Sequence, residues 1–153
     1  SGTAFSSPTR GVNQGGRPSP GDPVNVIDII TIQSLGDSVD FGNLTAATAD
    51  AGAASAGARA VVFGGESPTA KVDIIEYITV ASTGEATDFG NLTDAREHGA
   101  ATSNRTRGVV GGGDTVDDIE YVTIASTGNA TDFGDLTLAR GGLGGFSDSH
   151  GGL

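Results

Sequence analysis

The chain has 153 residues, enough for one domain of ordinary size, but it is 36% hydrophobic and 5% aromatic, so its core must be built from Val, Ile, Leu and Ala. Eight Lys and Arg against 19 Asp and Glu give a net charge of −11. This balance argues against nucleic-acid phosphates and anionic membrane surfaces as partners, since both require clustered cations. The lack of cysteine excludes disulfides, thiolate catalysis and Cys-type zinc sites.

The dominant feature of the sequence is a repeat. The triplet Asp-Phe-Gly begins at Asp40, Asp88 and Asp132, which gives spacings of 48 and 44 residues. A period of that size predicts a repeat architecture. We treat 1–153 as a single repeat domain and divide it into units at about 1–49, 50–97 and 98–141, with a partial unit at 142–153.

Each unit opens with a segment of small residues: SGTAFSS, DAGAASA, HGAATSN and, in the partial unit, GLGGFSD. The second copy would suit an Ala-rich helix by composition, but its equivalents have no helical pattern, so we predict a strand. The next segment runs from Arg into glycines, as in RAVVFGG, and predicts a second strand that ends in a tight turn.

The third segment, IEYVTIAS in the third unit, is rich in β-branched residues and is the clearest strand. One face would carry Ile119, Tyr121 and Thr123, and the other Glu120, Val122 and Ile124. Both faces are mainly apolar, which predicts a sheet covered on both sides. A Ser-Thr-Gly turn then leads into the Asp-Phe-Gly segment, a short fourth strand antiparallel to the third. Four such strands in about 45 residues are the unit of a β-propeller blade.

The order of glycine pair, strand tyrosine, aromatic residue, leucine and arginine resembles that of kelch repeats, whose blades form propellers. The second unit matches it with Gly64-Gly65, Tyr77, Phe89, Leu92 and Arg96, and the third with Gly112-Gly113, Tyr121, Phe133, Leu136 and Arg140. The first unit keeps Gly15-Gly16, Phe41 and Leu44, but has Ile29 for the tyrosine and Thr48 for the arginine, and Phe replaces the usual kelch tryptophan throughout. The resemblance implies a structural repeat core of Phe41, Phe89, Phe133, Tyr77, Tyr121, Leu44, Leu92 and Leu136.

The repeat is also similar to tandem kelch-like repeats in predicted virion structural and tail-fibre proteins of bacteriophages. This resemblance implies a non-enzymatic virion module that mediates assembly, host-surface glycan binding or both. A bacterial extracellular filament or adhesin built head to tail is the alternative, because the fold alone does not decide function. A sugar-acting propeller enzyme is a third possibility, but it needs a carboxylate pair or a histidine at the mouth of the ring, and no acidic pair breaks the repeat.

The other motifs favour structural roles, and we predict no catalytic residues, cofactor or metal. The Asp-Phe-Gly triplet resembles a kinase metal-binding motif, but the only lysine is Lys71 and the companion loops are missing. The two histidines, His98 and His150, occupy non-equivalent positions and are predicted to be surface or loop residues. The clustered acidic residues form no calcium-loop pattern and predict a solvated rim; they are Asp73, Glu76, Asp114, Asp117, Asp118 and Glu120.

Arg96 and Arg140 close their units at matching positions and are the candidate binding residues. One interpretation is an ion pair or carbonyl clamp between units, formed by the planar guanidinium. The other is a ring of arginines facing an anionic glycan at the propeller mouth. The sequence leaves both open.

Closed propellers have four to eight blades, so about three four-stranded blades plus a partial fourth unit cannot close alone. Self-association is therefore predicted, as a two-chain six-bladed ring or a head-to-tail stack, unless the chain belongs to a longer repeat protein. In an exact ring the segment 142–148 would compete with 1–7 of the neighbour. Other virion proteins or a host glycan are further candidate partners, with no nucleic acid and no membrane insertion.

Overall fold

The computed structural model describes residues 2–146, and in this range the chain is all-β. Three antiparallel four-stranded sheets form, each from one repeat unit and each with its strands in chain order, and they do not close into a ring. The strands are β1 (Thr3–Ser6), β2 (Arg10–Gln14), β3 (Val26–Thr31), β4 (Val39–Asn43), β5 (Gly52–Ala56), β6 (Arg59–Phe63), β7 (Ile74–Thr79), β8 (Thr87–Asn91), β9 (Ala100–Ser103), β10 (Arg107–Gly111), β11 (Asp118–Thr123) and β12 (Thr131–Asp135). The prediction of four antiparallel strands per unit is confirmed, including a strand in the Ala-rich segment. No helix that could cross a membrane is found in this part of the chain.

The Asp-Phe-Gly triplet forms a bulge in the fourth strand of each sheet. In the third sheet Ile119 pairs with Gly134 and Glu120 with Asp132, so that Phe133 between them opposes no residue on β11. The other two triplets show the same shift at the same place. The bulge explains why an aromatic residue and a glycine recur together: the extra residue projects from the ladder, and the following glycine takes a positive φ.

The sheets stack in chain order, with a hydrophobic cluster in each of the two junctions. The first cluster joins the first and second sheets through residues such as Val12, Ile27 and Ile78, and the second joins the second and third through residues such as Ile75 and Val122. Since Ile75 and Ile78 lie on opposite faces of β7, the second sheet is covered on both sides, as its two apolar faces predicted.

The first and third sheets each have a face that no sheet covers within residues 2–146. Phe41 and Phe89 are 3% and 2% exposed in the two junctions, whereas Phe133 is 56% exposed. The expected core role of Phe133 is therefore not seen in the single chain, because no fourth sheet packs on it. On the first sheet, Ile30 and Ile32 are exposed, although their equivalents on β7 and just after it are buried.

Among the remaining expected core residues, the leucines follow the same gradient along the stack, whereas Tyr77 and Tyr121 are both half-buried. Tyr77 packs edge-on against Phe89 with ring centroids 6.1 Å apart, and Tyr121 packs in the same way against Phe133 at 6.0 Å. The leucines that close the triplet segments are buried at Leu44 and Leu92 and half-buried at Leu136. Burial of a repeat position thus depends on whether another sheet follows it.

The loop between the third and fourth strands of each following sheet covers the edge strand of the sheet before it. Gly84 N–H donates to the Phe41 carbonyl at 2.9 Å, and Gly128 N–H donates to the Phe89 carbonyl at 2.8 Å. The approach is so close that a Cβ atom at Gly42 would overlap the carbonyl oxygen of Gly84. The loops therefore protect the edges of β4 and β8, whereas β12 has no such cover in the described range.

Residues 142–146 run beside β9 and begin the path of a further unit. Gly142 N–H donates to the His98 carbonyl at 3.0 Å, just as His98 N–H donates to the Asp50 carbonyl at 2.8 Å. Thr102 Oγ1 also donates to the Phe146 carbonyl at 2.7 Å. The rest of the predicted partial unit, including His150, lies outside the described residues.

Candidate functional site

Two glutamates of the predicted acidic rim are buried in the junctions between sheets. Glu76 Oε2 accepts the Thr45 N–H at 2.7 Å, and Glu120 Oε2 accepts the Thr93 N–H at 2.9 Å, in each case from the preceding unit. The prediction of a solvated rim is wrong for this pair, because each glutamate shares its strand face with buried aliphatic residues. Asp114 and Asp117 are exposed, as expected for a solvated rim.

Arg96 is the clamp between the second and third sheets. Its Nη1 donates to the Asp118 carbonyl at 2.9 Å and to the Gly112 carbonyl at 3.2 Å, and its Nη2 donates to Glu120 Oε1. The Arg96 and Glu120 side chains are each 1% exposed. This is the clamp considered from the sequence, made by the planar donor fork of arginine. The guanidinium is therefore not on a surface that a glycan would meet.

The first junction has the acid of this pair but lacks the cation. Thr48 is buried at the position that Arg96 occupies one unit later, so no guanidinium reaches Glu76. Burial raises the pKa of Glu76, and the hydrogen bond from the Thr45 N–H offsets part of this rise. The two junctions thus differ in charge, although they share one geometry.

Each end of the stack carries the equivalent of one member of the Arg96–Glu120 pair. Arg140 is the equivalent of Arg96 in the third unit; it is exposed, and its Nη1 donates to the Leu138 carbonyl at 3.3 Å. Asp28 is the equivalent of Glu120 on β3, and it is half-buried on the outer face of the first sheet. Arg140 therefore lies where a following sheet would contact it, as the third sheet contacts Arg96.

A second row of arginines joins the sheets and was not singled out in the sequence analysis. Arg10 Nη1 donates to the Val80 carbonyl at 2.7 Å, and Arg59 Nη1 donates to the Ile124 carbonyl at 2.9 Å. Arg107 is the third member of this row. The signal was visible, because an arginine opens the second strand of every unit.

The innermost strands β1, β5 and β9 line a cleft of about 380 Å³ along the inner side of the stack. Small residues form most of its wall, with Asp50 and His98 at equivalent positions. Both adopt left-handed backbone, with φ of 58° and 59°. His98 Nε2 lies 3.4 Å from Asp50 Oδ1, and His98 Nδ1 lies 3.2 Å from Asp114 Oδ2. The half-exposed position of His98 agrees with the predicted loop role.

The carboxylates near this cleft already have cationic partners. Arg17 Nη1 lies 3.1 Å from Asp50 Oδ2, and Arg17 Nη2 donates to Glu66 Oε2. That hydrogen bond from Arg17 holds the pKa of Glu66 below its ordinary value. The network links the first and second units at the rim of the cleft.

Two groups of side chains in the described residues bring potential metal-ligand atoms within 4.8 Å of one another. One group contains Asp50, which is paired with Arg17, and the other lies on the exposed edge of the third sheet. Clustered carboxylates of this kind are common without an ion, so neither group is assigned as a metal site. The groups are Asp50 with Glu97 and His98, and Asp117 with Asp118 and Asp135.

No protein-family model matches this sequence, and no curated protein matches it either. The kelch-like and phage resemblances therefore stay predictions that rest on the repeat residues quoted for them.

Proposed function

We propose that this chain is a non-enzymatic structural module of a bacteriophage virion or tail fibre, built of kelch-like propeller blades that join to further blades. The observation that carries the proposal is the contrast between Phe133, 56% exposed, and its equivalents Phe41 and Phe89, 3% and 2% exposed. A position that is closed at both internal junctions is open at the end of the stack.

The opposite end of the stack supports the same function. The outer face of the first sheet exposes a set of β-branched residues in the third strand and the turn that follows it: Val26, Ile30 and Ile32. Repeat units of this kind cannot bury such faces singly, and three blades are fewer than a closed propeller contains. An open apolar face on a soluble repeat protein marks a site of association.

The arginines at repeat positions of the two internal junctions bind the next sheet rather than a ligand. Arg96 and Glu120 bind each other and main-chain groups, and Arg10 and Arg59 bind carbonyls of the following sheet. These contacts support a role in building an assembly. The likeness of the repeats to virion structural and tail-fibre proteins supplies the proposed location.

Immunogold labelling of purified phage particles with an antibody raised against the chain tests this location. Labelling of particles, together with peptides of the chain in their mass spectra, is the expected result. If the antibody labels bacterial surface filaments and leaves phage particles unlabelled, the virion role is contradicted and the extracellular filament is supported. Negative-stain images of the purified chain separate rings from rods.

A further inference from the structure

We propose that the outer face of the third sheet binds the first sheet of a second copy of this chain, and that Arg140 of one copy pairs with Asp28 of the other. This inference rests on the proposed function, in that it assumes that the chain assembles through its end faces. It adds which faces meet, in which direction, and through which residues.

The equivalence of Asp28 and Glu120 follows from strand register. Asp28 lies opposite Asn13 on one side and Asp40 on the other, while Glu120 lies opposite Val110 and Asp132. Both acids follow the bulge shift, so their side chains leave the same face of their sheets. A first sheet that took the place of a fourth would therefore present Asp28 where the third sheet presents Glu120.

Arg140 occupies the matching position on the other side of that contact. Arg96 reaches forward from the end of the second unit to Glu120 on the next sheet. Arg140 ends the third unit at the same place after the triplet and is exposed. Opposite charges thus lie at opposite ends of one chain. First-to-first docking would bring two copies of Asp28 together and third-to-third docking two copies of Arg140, so charge selects the head-to-tail arrangement.

The two ends of the stack also carry the two partners of a second polar contact. Arg107 stacks on Tyr121 at 4.4 Å from the ring centroid, as Arg59 does on its own tyrosine at 4.2 Å. In that position Arg59 donates to the Ile124 carbonyl of the next sheet. The equivalent carbonyl on the first sheet belongs to Ile32, so Arg107 is preorganised to bind it in a second copy.

The apolar and main-chain contacts are complementary in the same way. Phe133 would meet Ile30 and Ile32 of the second copy, because Phe89 shares the apolar cluster of the second junction with Val122 and Ile124, the equivalents of those two residues. The Phe133 carbonyl would accept the Gly36 N–H, as the Phe89 carbonyl accepts the Gly128 N–H. Space for that loop exists, since a Cβ atom at Gly134 would meet nothing within 4 Å.

Residues 142–146 affect only the innermost part of this face. They run beside β9, where β1 (Thr3–Ser6) of a docked copy would lie. The contacts proposed above come from β3 and the turn that follows it, so the innermost strand is the one place where two segments compete. The junction is heterologous, and its repetition gives a closed ring or an open filament.

Charge reversal tests the pairing with two full-length variants, Arg140→Glu and Asp28→Lys. Each variant alone faces like charges across the junction, and we expect its dissociation constant to rise at least tenfold above that of the unmodified chain. An equimolar mixture restores both junctions, one reversed and one native, and should associate like the unmodified chain. Sedimentation equilibrium gives the masses, and circular dichroism melts show that each variant is folded.

Asp22→Lys is the matched control for Asp28→Lys, since it makes the same charge change at an exposed position of the loop between β2 and β3. Should a reversal variant fail to fold, Phe133→Asp and Ile32→Asp replace the pair: each loses one face, and their mixture recovers a 1:1 dimer. Association of a single variant at native strength, or no recovery in the mixture, overturns the pairing. If the mixture associates but phage particles are not labelled by the antibody, the junction is supported and the virion role is contradicted. If particles are labelled but the mixture does not associate, the virion role is supported and the junction is contradicted.

Discussion

The guanidinium of Arg96 and the carboxylate of Glu120 form an ion pair that is buried across the junction of the second and third sheets. Removing one member of a buried pair is costly, because the other is left charged without a partner. The junction of the second and third sheets is therefore sensitive to the loss of either charge.

Replacing Glu120 by glutamine should lower the free energy of unfolding by about 3–5 kcal/mol, since it removes the buried anion of Arg96 and leaves only the half-exposed Asp118 carboxylate, 3.8 Å away. Glu76→Gln is the matched control. The glutamine amide oxygen can still accept the Thr45 N–H, and no cation loses its partner because Thr48 stands in place of the arginine. The free energy of unfolding is therefore expected to change by no more than about 1 kcal/mol. Urea unfolding at pH 7 measures both. Equal losses in the two variants would contradict the clamp.

The buried Glu76 should also make stability depend on pH. Its folded pKa is raised above the ordinary value of 4.5, so the folded state holds this proton more tightly than the unfolded chain does. The contribution of protonated Glu76 to the free energy of unfolding is therefore fully present below about pH 4.5 and is lost as pH rises through the raised pKa. Between pH 4 and 7 the unmodified chain should lose stability relative to Glu76→Gln. Parallel curves for the two proteins would show that Glu76 does not titrate in this way.

Gly90→Ala and Gly134→Ala separate the close approach of sheets from backbone strain. Both glycines have positive φ, 149° and 138°, so both variants carry a similar backbone cost. Only at Gly90 would the new Cβ overlap a neighbouring carbonyl, that of Gly128. The free energy of unfolding of Gly90→Ala should therefore be about 1–3 kcal/mol lower than that of Gly134→Ala, as measured by denaturant unfolding. A larger loss of stability in Gly134→Ala than in Gly90→Ala would contradict the close approach of the Gly128 loop to β8.

Phe89→Ala and Phe133→Ala should affect different properties of the protein. Phe89 is buried between sheets, and its truncation should cost about 3–5 kcal/mol of folding stability. Phe133 is exposed in the single chain, so its truncation should leave the stability of the dilute chain nearly unchanged and weaken self-association. Thermal melts at low concentration and sedimentation at high concentration give the two readouts. A large loss of stability in dilute Phe133→Ala would mean that the third sheet is already covered.

Much of this fold could be predicted from sequence, because the alternation of β-branched residues and the recurring triplet align the strands of all units. The exposure of Phe133 could not, because a repeat position has the same sequence in every unit while its burial depends on the next sheet. The burial of Glu120 was missed for another reason: it was counted among the acidic residues near it, although Val122 and Ile124 share its strand face. The clamp was one of two interpretations of Arg96 from the sequence, and only the third sheet shows that this side chain binds Glu120.

The mass of the unmodified chain over a range of concentrations tests the central claim most directly, since a single chain has a mass of 15.1 kDa. If its two outer faces are halves of one junction, sedimentation should show this mass at low concentration and whole multiples of it as concentration rises. A mass of 15.1 kDa at every concentration would contradict the claim.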